Sequence, residues 1–190
     1  MKVADAIQGR RAVRDFTLRP VSETLITRLI QLAVQAPNAM NRQPWTFIAI
    51  TDKAALVWIA RDAKSHRLAS IDQTPQLAHL RDALSNPGFD ILYDAPALVV
   101  ICATAEDEMA VYDCCLAAQN LMLSAHAEGL GSCWVGLAES WLASAEGRSV
   151  LGLPDGVRPI APIILGHPQT WPTAPGRRAA TIQWIRGPAA

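Results

Sequence analysis

From Met109 to Gly129 the chain reads MAVYDCCLAAQNLMLSAHAEG, which is apolar on nearly every side of a helical wheel. A helix without a polar face has to be covered all round. A membrane span would also be apolar, but Asp113, Gln119, Asn120 and His126 fall inside the stretch, and few flanking charges could anchor it at an interface. The reading is a central core helix over Glu106 to Glu128, buried between two halves of an assembly and ended by Gly129 and Gly131. The 190 residues, half of them apolar, suffice to build the surrounding layers as one domain.

The flanking segments supply those layers. Val3 and Ile7 at i, i+4 with a stop at Gly9 predict a short helix that ends just before a cluster of arginines. Ser22 as cap and the stripe Leu25, Ile26, Leu29, Ile30, Ala33, Val34 predict a second helix running to Pro37. WTFIAIT (45 to 51) reads as a strand and 52 to 65 as a helix. APALVVICATA (95 to 105), introduced by Pro96, suits a strand buried on both faces at the sheet centre. SCWVGL is a further buried segment, and a helical patch is expected from Trp141 to Leu151. RPIAPIILGHP is a strand whose Pro159 and Pro162 indicate an edge or a bulge near its start. Thr181 to Ile185 alternate like a strand. The weakly patterned stretch from 64 to 88, with one short helix from Pro75 to Leu84, is read as a mobile cover over a site. One α+β domain spanning 1 to 190 describes the whole.

Lysine plus arginine equal aspartate plus glutamate at 17 each, so no bulk field draws nucleic acid or an anionic membrane. The start MKVADAIQGRR has no apolar run, and the expected location is the cytoplasm. Cys102, Cys114, Cys115 and Cys133 lack CxxC spacing and His66, His79, His126 and His167 are scattered, so no metal site is expected and the cysteines read as buried, reduced hydrophobes. P-loop, GxGxxG, GxSxG and HExxH signatures are missing, which points to chemistry carried by a bound cofactor rather than by a catalytic side chain.

Within QGRRAVRDF, Arg10, Arg11 and Arg14 crowd together whether the chain is helical or extended. A phosphate, an acidic partner or plain solvation could offset that crowding. A second pair, Arg177 and Arg178, lies near the C-terminal end. Guanidinium forks suit phosphate oxygens. In APNAMNRQPW (36 to 45), Asn38, Asn41 and Gln43 offer amide donors and acceptors between two prolines, suited to the polar edge of a planar heterocycle or simply to capping a helix and starting a strand.

Taken in order, RRxxRxF, APNxxNxQPW, YDAPALVV, AAQNLML, GLGSCWVG and the C-terminal arginine pair resemble the FMN-dependent nitroreductase family along nearly the whole chain except 64 to 88. The resemblance implies an α+β sandwich, with a central, mostly antiparallel sheet flanked by helices, in an intertwined homodimer that holds FMN at its interface. It implies hydride transfer from NADH or NADPH through flavin N5 to a small-molecule acceptor: a nitroaromatic, a quinone or a flavin. By the family pattern, Arg10, Arg11, Arg177 and Arg178 hold the phosphate and ribityl chain, and Arg14 approaches the pyrimidine edge, where cationic groups stabilise reduced flavin. Pro37, Asn38 and Ala39 meet the flavin of the other subunit, and Trp134, Val135 and Gly136 lie along the isoalloxazine with backbone amides near N5. Ala12 stands where the family commonly has Ser, and Asn38 where Ser is frequent, so a hydroxyl contact at residue 12 is lost. Alternatives are a flavin-destroying or reductively dehalogenating branch of the family, and a non-catalytic FMN-binding dimer. A nucleic-acid patch is disfavoured because no aromatics interleave the arginines.

Overall fold

A computed structural model describes residues 1–186. In chain order the elements are α1 (Val3–Gly9), α2 (Glu23–Ala33), β1 (Trp45–Ile50), α3 (Lys53–Ala69), α4 (Arg81–Ser85), β2 (Ala97–Ala103), α5 (Glu108–Ala127), β3 (Gly131–Trp134), α6 (Gly136–Leu142), α7 (Ala145–Val150) and β4 (Arg158–Gly166). The sheet has the order β1-β2-β4-β3, and every neighbouring pair is antiparallel.

β2 lies inside the sheet and is buried at all of its residues. Its alternation separates two cores. Leu98, Val100 and Cys102 face a cluster with Leu56 and Ile59 of α3 and with Ala138, Trp141 and Leu142 of α6. Ala97, Val99, Ile101 and Ala103 face a second cluster with Ile26 and Leu29 of α2 and with Ala110, Cys114, Ala117, Ala118 and Leu121 of α5. Helices on both faces explain why β2 reads as an unbroken apolar run. The small residues on the inner side of α5 let it lie close against α2 and the sheet.

β4 is an inner strand, so its prolines mark the bulge and not an edge. The register slips between Ile101 and Cys102 of β2, opposite Ala161 and Pro159. β3 pairs only with Ile163–Gly166, so both prolines lie in the half of β4 that β3 leaves uncovered. α2 stops at Ala33 and a turn fills the space before Pro37, whose ring disfavours helix at the preceding residue. α3 extends four residues beyond the expected 65 to Ala69. The single patch expected from Trp141 to Leu151 is two helices, α6 and α7, and α6 begins at Gly136.

Gly147 of α7 sits directly under α6. A β-carbon there would lie 2.1 Å from the Trp141 carbonyl oxygen and 2.7 Å from Leu142 Cα, both of them backbone atoms that cannot swing aside. Gly147→Ala is therefore expected to cost about 1–3 kcal/mol through overpacking, lowering the unfolding midpoint by roughly 2–12 °C in a chain of this size. Thermal unfolding followed by circular dichroism checks this, and an unchanged midpoint would contradict it.

α5 is not covered on every side within one chain. Ala110, Asp113, Cys114, Ala117, Ala118, Leu121 and Ala125 are buried, whereas Met109, Tyr112 and Leu116 form an open stripe at helical spacing. The tail forms no strand: residues 170–186 are exposed and irregular, with Ile182, Trp184 and Ile185 in solvent. Among the described residues the alternation of Thr181 to Ile185 has no neighbouring strand to pair with. No helix of the described residues is long and apolar enough to cross a membrane.

Candidate active site

The arginine segment is extended, and it is stitched onto the end of the sheet. Ala12 and Ser132 form a parallel bridge, and Val13 N–H donates to the Ser132 carbonyl at 3.0 Å. Gly131 makes this approach possible, because a β-carbon there would meet Val13 at 2.7 Å. Two parts of the sequence some 120 positions apart thus become neighbours: Arg10 to Arg14, and the flavin-edge candidates Trp134, Val135 and Gly136.

Beside this junction opens a cavity of about 530 Å³, lined by Arg14, Phe89, Tyr93, Cys133 and Trp134 to Leu137 together with Leu77, Leu80 and Ala83. The Arg14 guanidinium lies 5.8 Å from the centre of the Tyr93 ring, and Phe89 meets that ring edge-on at 5.7 Å. Tyr93 and Asp94 have positive φ (57° and 51°), a strained conformation for non-glycine residues that aims the ring at the cavity wall. Burial pushes the Tyr93 hydroxyl up, with Arg14 opposing. Burial likewise pushes the Cys133 thiol up, against the pull of Arg14 and Arg10. Cys102 and Cys114, deeper in the cores, are pushed up to about 12 by burial and are thiols at neutral pH.

The donors around this cavity fit an anionic, planar cofactor such as FMN. Arg11 Nη1 donates to the carbonyls of Gln8 (2.6 Å) and Arg10 (2.8 Å), while its Nε is sealed from solvent without an acceptor. The first-turn amides of Gly136 and Leu137 have no acceptor among the described residues. His126 packs against Gly9 and edge-on against Trp171 at 4.8 Å. Burial, reinforced by Arg10 and then Arg11, lowers its pKa. A neutral imidazole therefore sits beside the arginines. Arg177 and Arg178 lie in the exposed, irregular tail.

Pro37, Asn38, Ala39, Asn41 and Gln43 do not line this cavity. Their loop lies against the first half of α5, where Asp113, 2% exposed, accepts the Ala39 N–H at 3.1 and 3.2 Å, and Arg42 pairs with Asp107 at 2.8 Å. Asn38 Oδ1 accepts the Gln43 N–H at 2.8 Å, the bland capping role open to it. Met40, Asn41 and Gln43 all have positive φ (55°, 54° and 50°), so a loop carrying backbone strain is presented outward. Asp113 escaped sequence reasoning as a loop anchor; a lone carboxylate inside an apolar helix was its only signal. Tyr93 appeared only as the first residue of YDAPALVV and was given no role, because its strained backbone leaves no mark in residue type.

The nitroreductase family model matches residues 7–167. The Bacillus subtilis protein YfhC, provisionally named an NAD(P)H nitroreductase, is 32% identical over 177 residues, covering 88% of this chain and 85% of its own. The 5,6-dimethylbenzimidazole synthase of Rhodospirillum rubrum is 31% identical over 150 residues, covering 73% and 70%. The crystal structure of a nitroreductase with bound FMN from Desulfitobacterium hafniense superposes with a TM-score of 0.81 at 25% identity, covering 98% of this chain and 100% of that one. This chain belongs to the nitroreductase family and is an oxidoreductase of that class.

Proposed function

We propose that this protein is a homodimeric FMN-dependent oxidoreductase, drawing on NADH or NADPH and reducing a nitroaromatic, quinone or flavin-like acceptor in the cytoplasm. One observation carries the reading: the Ala12–Ser132 bridge sets the Arg10 to Arg14 segment beside Trp134 to Leu137, and Arg14 and Trp134 to Leu137 line one cavity in which the Gly136 and Leu137 amides have no acceptor among the described residues. When bound, FMN supplies a hydride-accepting and hydride-donating N5. The chain's residues do the rest. Arg10 and Arg11 hold the phosphate, with Arg177 and Arg178 brought in from the tail, and Arg14 meets the pyrimidine edge. Trp134, Val135 and Gly136 run beside the ring system and offer it backbone amides. Leu77, Leu80 and Ala83 belong to the 64 to 88 cover and exclude water from the cavity. Pro37, Asn38 and Ala39 serve the partner's flavin, which agrees with their distance from the cavity of their own chain. No side chain acts as nucleophile.

The test is turnover: protein reconstituted with FMN, given NADH or NADPH, should reduce menadione or nitrobenzene at a rate proportional to bound flavin. FMN binding without any turnover would leave a non-catalytic binding dimer. A second reading, a flavin-consuming branch, draws on the 31% identity to the dimethylbenzimidazole synthase. It predicts that the flavin band of the reduced protein disappears irreversibly in air, where a reductase recovers it.

A further inference from the structure

Three polar or charged residues are buried among those described: Arg67, Asp113 and Ser132. Asp113 has a partner in the Ala39 amide. Arg67, on α3 and 9% exposed, has no carboxylate within ion-pair distance among the described residues. A buried charge without a counterion is unfavourable, and neutral carbonyls offset only part of that. The carbonyls Arg67 uses are specific ones. Its Nε donates to Leu137 O at 3.2 Å and its Nη2 to Gly136 O at 3.4 Å. Gly136 and Leu137 line the 530 Å³ cavity, whereas Arg67 does not.

We propose that Arg67 is a positioning residue: its planar fork grips the carbonyls of Gly136 and Leu137 from behind and fixes the peptide groups that wall the flavin cavity. This inference rests on reading that cavity as the FMN site. In a trans peptide the C=O and the following N–H point in opposite directions. With the Gly136 carbonyl turned onto Arg67, the Leu137 N–H points away from α3, and it has no acceptor among the described residues. The clamp therefore aims an unpartnered donor at a fixed angle. A lysine could not span both carbonyls with the same geometry, because its ammonium is a single point charge on a flexible stem. Arg67 also ties the last turn of α3, which lies within the 64 to 88 cover, to the cavity wall.

The experiment uses FMN-loaded wild type, Arg67→Met and Arg67→Lys, reading visible-range circular dichroism of the bound flavin and its midpoint potential. Arg67→Met should alter the flavin dichroism and lower the potential, because both the clamp and a positive charge near the flavin are lost. Arg67→Lys should keep the potential near wild type and still alter the dichroism, which separates clamp from charge. Folded variants with wild-type flavin dichroism would overturn the proposal. If Arg67→Met fails to fold, the lysine variant decides alone, and failure of both to fold would mark Arg67 as a fold residue and overturn it too. Wild type that binds no FMN would overturn the cavity reading itself; wild type that binds FMN while the variants match it would overturn only the role of Arg67.

Discussion

Leu116→Glu is expected to convert the proposed dimer to monomer and to release FMN in the same step. Leu116 is 44% exposed in the single chain, in the middle of the open stripe of α5 between Tyr112 and Gln119. The opposite side of the helix already packs on α2 and the sheet, so the substitution leaves the chain's own core untouched. In a dimer that covers this stripe, an unpaired glutamate would be buried, at a cost on the order of 3–5 kcal/mol per uncompensated charge. Twofold symmetry doubles that cost, because each residue of an isologous interface occurs twice. Flavin should leave because the loop carrying Pro37, Asn38 and Ala39 would no longer reach the neighbouring cavity. Size-exclusion chromatography with absorbance detection in the flavin band reads both effects; a variant that elutes as a yellow monomer would separate them and count against the shared site.

The second large effect is expected at Arg11. Arg11→Ala removes the guanidinium whose Nε is buried without a partner, along with the bonds its Nη1 makes to the Gln8 and Arg10 carbonyls. Hydrogen bonds to a charged group are worth about 1.5–3 kcal/mol, so FMN affinity should fall roughly 10- to 150-fold. The fold should survive, since the bonds lost lie at the exposed end of α1. Binding titrations measured at several salt concentrations separate this from a general loosening: the wild type should lose affinity with salt more steeply than the variant. Equal affinities would remove Arg11 from the phosphate site.

Much of this arrangement was legible in the sequence because it depends on local pattern. Ser22 caps α2 through the Leu25 amide as expected, and the apolar run of β2 announced a strand covered on both faces. α5 was recognisable from a missing polar face. Its open stripe was not, because which side of an apolar helix faces its own chain depends on where small residues such as Ala110, Ala117 and Ala118 meet the sheet. The prolines of β4 allowed an edge or a bulge, and only the register against β2 decides for the bulge.

For the site, the arginines and GSCWVG could be named in advance, since charge and glycine leave marks in sequence. The bridge between Ala12 and Ser132 that joins them is a long-range backbone contact and leaves none. Arg67 was missed for the same reason, since it acts on Gly136 and Leu137 far along the chain, and Tyr93, quoted only within YDAPALVV, was given no role because its contact with Arg14 is equally remote. The hydroxyl absent at Ala12 also takes on a sharper setting. Ser132, its bridge partner, is buried with an Oγ that has no hydrogen-bond partner among the described residues.

The proposed function requires this chain to carry out flavin chemistry with a nicotinamide reductant. The most direct measurement is the visible spectrum of FMN-loaded, desalted protein, recorded without oxygen before and after addition of NADH or NADPH. Retention of the flavin band through desalting, followed by its bleaching with either nicotinamide and its return in air, is the predicted result. Protein that is colourless after incubation with FMN, or that stays yellow with both nicotinamides, would contradict it.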